Sequence, residues 1–124
     1  MLGYVTIGTN DFKRATHFYD ELMAVIGESR LWTTESMAAW GSSRDEPSIC
    51  ITKPFDGELA TIGNGVMLAL KARSRAEVDA LHARAIELGG QDEGPAGSRG
   101  TNGFYAGYFR DLDGNKLCFF EMKM

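Results

Sequence analysis

Specialised chemistry leaves few traces in this 124-residue sequence. There are two cysteines, Cys50 and Cys118, each inside an apolar, strand-like run, and they form no Cys-x-x-Cys spacing. That argues against a zinc knuckle or a dithiol redox centre and leaves two buried free thiols. Histidine is equally scarce: His17 and His82 both fall in segments with helical periodicity and have no other candidate ligand at metal-binding spacing. No pair of carboxylates and no nucleophile with an adjacent base can be picked out. No apolar run approaches the roughly 20 residues needed to cross a bilayer, so a membrane partner is not expected. The opening Met-Leu-Gly-Tyr-Val-Thr lacks the charged start and apolar middle of a secretory signal, so a cytoplasmic location is expected. Positive charge is not in excess either. Thirteen Lys and Arg against seventeen Asp and Glu give a net charge of -4, with no basic stripe to track a phosphate backbone, which excludes nucleic acid as a partner.

The chain does contain a faint internal repeat. Offset by 63 positions, Tyr4, Val5, Ile7, Asp11, Ala15, Phe18, Leu22 and Gly27 meet Met67, Leu68, Leu70, Ser74, Val78, Leu81, Ala85 and Gly90. Few pairs are identical, but each station keeps its kind: alternating apolar residues, a capping oxygen, apolar residues at helical spacing and a closing glycine. About 60 residues alone bury too little surface for secure stability, so two such modules are expected to share one domain over residues 1–124, as modules of about 1–60 and 64–124. With 44% hydrophobic residues the chain can build a core.

In the first module, residues 4–8 alternate as a strand, and Asn10 or Asp11 caps a helix whose apolar stripe runs through Ala15, Phe18, Tyr19, Leu22 and Ile26 to Gly27. Residues 30–34, 35–41 and 47–52 read as strands, and the Pro- and Gly-containing stretch 53–65 as the connection. In the second, residues 66–71 read as a strand. Ser74 and Glu77 form a capping box before the stripe Val78, Leu81, Ala85 and Leu88, and Gly89-Gly90 stops the helix. The glycines of 92–103 mark a loop that could cover a site. Residues 104–110 and 116–122 are two β-rich runs joined around Asp113-Gly114-Asn115, a strong hairpin signature.

The order strand, helix and about three strands, given twice, resembles the vicinal oxygen chelate superfamily of glyoxalase, bleomycin-resistance and extradiol dioxygenase proteins. The similarity is carried by Tyr-Val-Thr-Ile-Gly-Thr-Asn-Asp-Phe-Lys-Arg-Ala-Thr-His-Phe-Tyr-Asp (4–20), Gly-Asn-Gly-Val-Met-Leu-Ala-Leu (63–70) and Tyr-Phe-Arg-Asp-Leu-Asp-Gly-Asn-Lys-Leu (108–117), where Leu112 stands at the usual proline of an Asp-Pro-Asp-Gly-Asn turn. It implies an α+β fold of two tandem βαβββ modules forming a curved mixed sheet with a concave cleft, helices on the outer face, and a homodimer. It also implies a divalent metal held by His, Glu or Gln from the strands. The corresponding positions here fall at Tyr4, within 48–51, at Met67 and at Cys118, none of them a usual ligand. A phenol and a thioether do not suit a hard divalent ion, so no metal and no other cofactor is expected.

Without an ion, the cleft is defined by its remaining side chains. Strand alternation puts Tyr4 with Thr6, and Cys118 with Phe120, while Met67 begins the matching face of the second module. Trp32, Trp40, Phe55, Phe104 and Tyr105 either line the rim or fill the core. Such a lining suits a flat, apolar small molecule, with a preference for neutral aromatics. Tyr4, Tyr105 and Glu121 are the groups most able to transfer protons. Two functions stay open. One is a metal-free protein that binds a small aromatic ligand. The other is a glyoxalase-like lyase, isomerase or dioxygenase working through a non-standard metal set or through Tyr4 as acid or base.

Overall fold

The computed structural model describes residues 1–123, which divide into two compact units between Ile62 and Gly63. Each is a βαβββ module with a four-stranded mixed sheet.

The first unit runs β1 (Tyr4–Gly8), α1 (Phe12–Ala24), β2 (Arg30–Thr33), β3 (Met37–Trp40) and β4 (Ser48–Thr52). Asp11 is the cap of α1, its Oδ1 accepting from the Arg14 amide at 3.1 Å. The expected stripe is buried at Ala15, Phe18, Tyr19 and Leu22, which face the sheet, whereas Ile26 lies past the end of α1 and is half-buried; Gly27, at φ 73°, closes the turn. The strand order is β1-β4-β3-β2, with β1 parallel to β4 and the other pairs antiparallel. α1 packs on β3 and β4, where the Tyr19 and Trp40 rings lie 5.6 Å apart. Residues Val5, Ile7, Trp40, Ile49 and Ile51 share that helix-covered side by register.

The second unit repeats the plan with β5 (Leu68–Lys71), α2 (Arg75–Glu87), β6 (Gln91–Arg99), β7 (Phe104–Arg110) and β8 (Lys116–Met122), in the order β5-β8-β7-β6. The capping box is half as expected. Ser74 Oγ accepts from the Glu77 amide at 3.1 Å, but the Glu77 carboxylate reaches one residue further back, to the Arg73 amide at 3.0 Å. The hairpin is closed by Asp111, whose Oδ1 accepts from the amides of Asp113 and Asn115 at 2.9 and 3.0 Å while Gly114 takes φ 88°. α2 lies on β6, β7 and β8.

Two expectations are corrected. Strand β5 starts at Leu68, so Val66 and Met67 precede the ladder. More importantly, the segment read as a loop from Asp92 is mostly strand β6, paired with β7 through register shifts between Asp92 and Gly94 and between Gly94 and Gly97. It is an edge strand, where Pro95 need not donate to a second neighbour, and bulges take up glycine's freedom without ending the pairing. No helix among the described residues is long and apolar enough to cross a membrane.

Candidate functional site

Each sheet has one face under its helix and one turned away from it, and register decides which side chains go where. In the second unit, Leu117, Phe119 and Glu121 of β8 share the helix side with Phe109, Gly107 and Tyr105 of β7. The opposite face carries Cys118, Phe120 and Met122 with Tyr108, Ala106 and Phe104. On it the Phe104 and Phe120 rings stack, with centroids 5.5 Å apart and planes at 25°, and both are half-buried. Cys118 between Tyr108 and Ala69 is fully buried, and burial pushes its thiol pKa up against the opposing pull of the Lys116 charge. The thiol is therefore neutral at physiological pH. Two cations lie against Tyr108: the Arg99 guanidinium 5.5 Å and the Lys116 ammonium 5.7 Å from its ring centre.

The face away from α1 in the first unit holds Tyr4 and Thr6 of β1, both exposed, with Ser48, Cys50 and Thr52 of β4, Met37 and Ala39 of β3, and Trp32 of β2. Burial raises the Cys50 pKa as well, with Ser48 working against it through a hydrogen bond. At one end of this unit is an open recess of about 660 Å³, lined by Phe12, Met37, Lys53, Phe55 and Leu59 among others. Its wall is the connection after β4, fastened to the start of α1 by two bonds between Asn10 and Ala60, at 2.7 and 3.1 Å. Phe55 stands out from that connection fully exposed.

The glyoxalase-like domain family matches residues 4–120. This chain belongs to that family. A glyoxalase/bleomycin resistance protein from Albidiferax ferrireducens T118 is 35% identical over 99% of both chains, with a TM-score of 0.90. More distant folds of the same kind include a lactoylglutathione lyase from Agrobacterium tumefaciens, 21% identical over 98% of this chain and 92% of that one with a TM-score of 0.68. A glyoxalase-related enzyme from Fulvimarina pelagi is 22% identical over 98% and 87%, with a TM-score of 0.75. No curated protein matches the chain. With its two βαβββ modules the chain falls within the vicinal oxygen chelate superfamily.

The positions where that superfamily resemblance would place metal ligands do not fit an ion in this glyoxalase-like chain. Tyr4 offers a phenol, Met67 a thioether, and Cys118 a thiol held protonated by burial. In β4, Ile49 and Ile51 point to the helix side, while Ser48 and Cys50 bring only a hydroxyl and a second neutral thiol. Among the described residues no group of three or more His, Cys, Asp and Glu side chains could hold a metal.

The remaining expected site residues divide by face. Tyr4, Thr6, Trp32, Phe104, Cys118 and Phe120 lie on the faces turned away from the helices; Met67 is partly exposed just before β5. Trp40 and Tyr105 do not join them. Trp40 is 1% exposed in the core under α1, its Nε1 donating to Asp20 at 3.0 Å, because its register partner Ile49 faces the helix. Tyr105 lies on the α2 side, where its hydroxyl donates to Asp79 at 2.5 Å and Arg75 covers its ring at 5.0 Å. The Asp79 bond, which needs the phenolic proton, is the main cause that raises its pKa. Glu121 is on that side too, buried, with Arg75 Nε 3.9 Å from Oε1. Two of the three proton-transfer candidates thus belong to the packing of α2. His82 also packs there, its Nε2 3.1 Å from the Tyr108 carbonyl oxygen and 3.2 Å from Asp92 Oδ1, while His17 is exposed on α1. Tyr108, Arg99 and Lys116, not singled out from the sequence, come together on the face turned away from α2. Alternation from Cys118 across the hairpin would have selected Tyr108 over Tyr105.

Proposed function

We propose that this glyoxalase-like chain binds a small planar aromatic molecule without a metal ion, on the face of the second unit's sheet that α2 leaves uncovered. The observation that carries the reading is the stacked Phe104–Phe120 pair beside the buried neutral thiol of Cys118, where the family resemblance would put a charged ligand to an ion. A flat ring can extend that stack, and half-exposed aromatic side chains contribute both area and geometry to such contact. The bleomycin-resistance name of the 35% identical relative is in keeping with sequestration of a small molecule.

The test is calorimetric titration of the untagged protein with 2-naphthamide, with and without EDTA. Binding is expected to be unchanged by the chelator and weakened on the order of tenfold by Phe120→Ala, while Phe55→Ala leaves it intact. Loss of binding in EDTA would overturn the metal-free reading. Loss with Phe55→Ala and not with Phe120→Ala would move the site to the recess of the first unit.

A further inference from the structure

The uncovered face of the second unit carries positive charge that a neutral ligand would leave unanswered. Arg99 and Lys116 both lie against the Tyr108 ring, and among the described residues no carboxylate pairs with either. Lys71, exposed and in register with Phe120, adds a third cation to the same sheet. Glu93 of β6 is engaged by Arg110 at 2.6 Å, and Asp92 turns to His82. A concentration of unpaired positive charge in a chain of net charge -4 is not a by-product of composition.

The glycine-rich bulge of β6 holds this arrangement in place. Arg99 Nη1 donates to the carbonyls of Gly97 and Ser98 at 2.9 and 3.4 Å, and Nη2 to that of Pro95 at 2.6 Å. These bonds fix the guanidinium without neutralising it and leave Nε and part of Nη2 able to donate elsewhere. Two residues without a side chain leave room for it. A Cβ at Gly94 would sit 3.3 Å from both Arg99 Nη2 and the Tyr108 ring, and one at Gly97 3.3 Å from Arg99 Nη1. Tyr108 in turn is a platform for both cations. A fixed guanidinium and a nearby ammonium, flanking an aromatic surface, are suited to an anionic group on a flat molecule, because little ordering remains to be done when it binds.

We infer that the ligand of this face is an aromatic anion, a planar ring bearing a carboxylate or similar group, with the ring on Phe104 and Phe120 and the anion drawn to Lys116 and Arg99. This rests on the proposed aromatic site and replaces the neutral ligand expected from the sequence with a charged one.

The experiment compares 2-naphthoate with its uncharged analogue 2-naphthamide by calorimetry. The wild-type protein is expected to bind the carboxylate about tenfold more tightly than the amide, with the advantage shrinking as salt is raised. Lys116→Gln should remove most of that advantage without changing amide binding, and Lys116→Arg should restore it. Equal affinity for the two probes, or an advantage that Lys116→Gln does not alter, would overturn the charge assignment while the aromatic site stands. Failure of both probes to bind would overturn the aromatic site and the charge assignment together.

Discussion

Asp20 shows how one side chain can serve several partners at once. Its carboxylate accepts from Arg30 Nε and Nη2 at 2.9 and 2.8 Å and from Trp40 Nε1 at 3.0 Å, tying α1 to β2 and β3. The Arg30 hydrogen bond is the main cause that lowers its pKa, with burial opposing and Trp40 assisting. A depressed folded-state pKa means that the unfolded chain binds the proton more readily. The stabilisation is therefore present above the unfolded value of about 3.9 and is lost as pH falls through the folded one. Denaturation midpoints measured from pH 7 to pH 2 should fall in the acid range, and Asp20→Asn should flatten part of that fall while lowering the midpoint at pH 7. A variant with the same acid profile as wild type would show that the cluster contributes nothing through charge. Trp40 belongs to this cluster, which is why it could not serve the site expected of it. The sequence shows a tryptophan in a strand but not which neighbour satisfies its N–H. Tyr105 was misplaced for a simpler reason: Phe104 and Tyr105 are adjacent in a strand, so the two cannot share a face.

Elements were more legible than single side chains, because period and punctuation are properties of several residues together. The terminal hairpin has the expected bounds, 104–110 and 116–122, and both helix stripes are buried within the helices, while their last expected members, Ile26 and Leu88, lie past the helix ends and are half-buried. Strand β6 was hidden because Gly94, Pro95 and Gly97 remove every local β signal, and only pairing with β7 makes the segment a strand. The approach of α2 to β7 is a matter of distance that no pattern encodes. At Gly107 a Cβ would meet the His82 ring at 2.9 Å, so the helix can lie this close only where the strand lacks a side chain. Gly107→Ala should destabilise the protein by about 1–3 kcal/mol by forcing His82 from its contact with the Tyr108 carbonyl. Urea denaturation checks this, and an unchanged midpoint would show that the helix shifts without cost.

For the whole molecule, the 63-residue offset foreshadowed two modules, and both have the same strand order and the same parallel pairing of first and last strands. The repeat also located the positions where the family resemblance would place metal ligands, since Tyr4 and Met67 are equivalent stations. Chemistry at those stations was readable from residue identity alone; the charge around Tyr108 was not, because Arg99, Tyr108 and Lys116 come together only through the bulge and the hairpin. In the proposed reading this glyoxalase-like chain keeps the fold and binds no ion. The most direct test of that reading is metal analysis by plasma mass spectrometry of untagged protein incubated with zinc, nickel, iron and manganese and then dialysed. Far less than one ion per chain is the expected result. Near-stoichiometric metal that is lost when Cys118 is changed to Ala would contradict it.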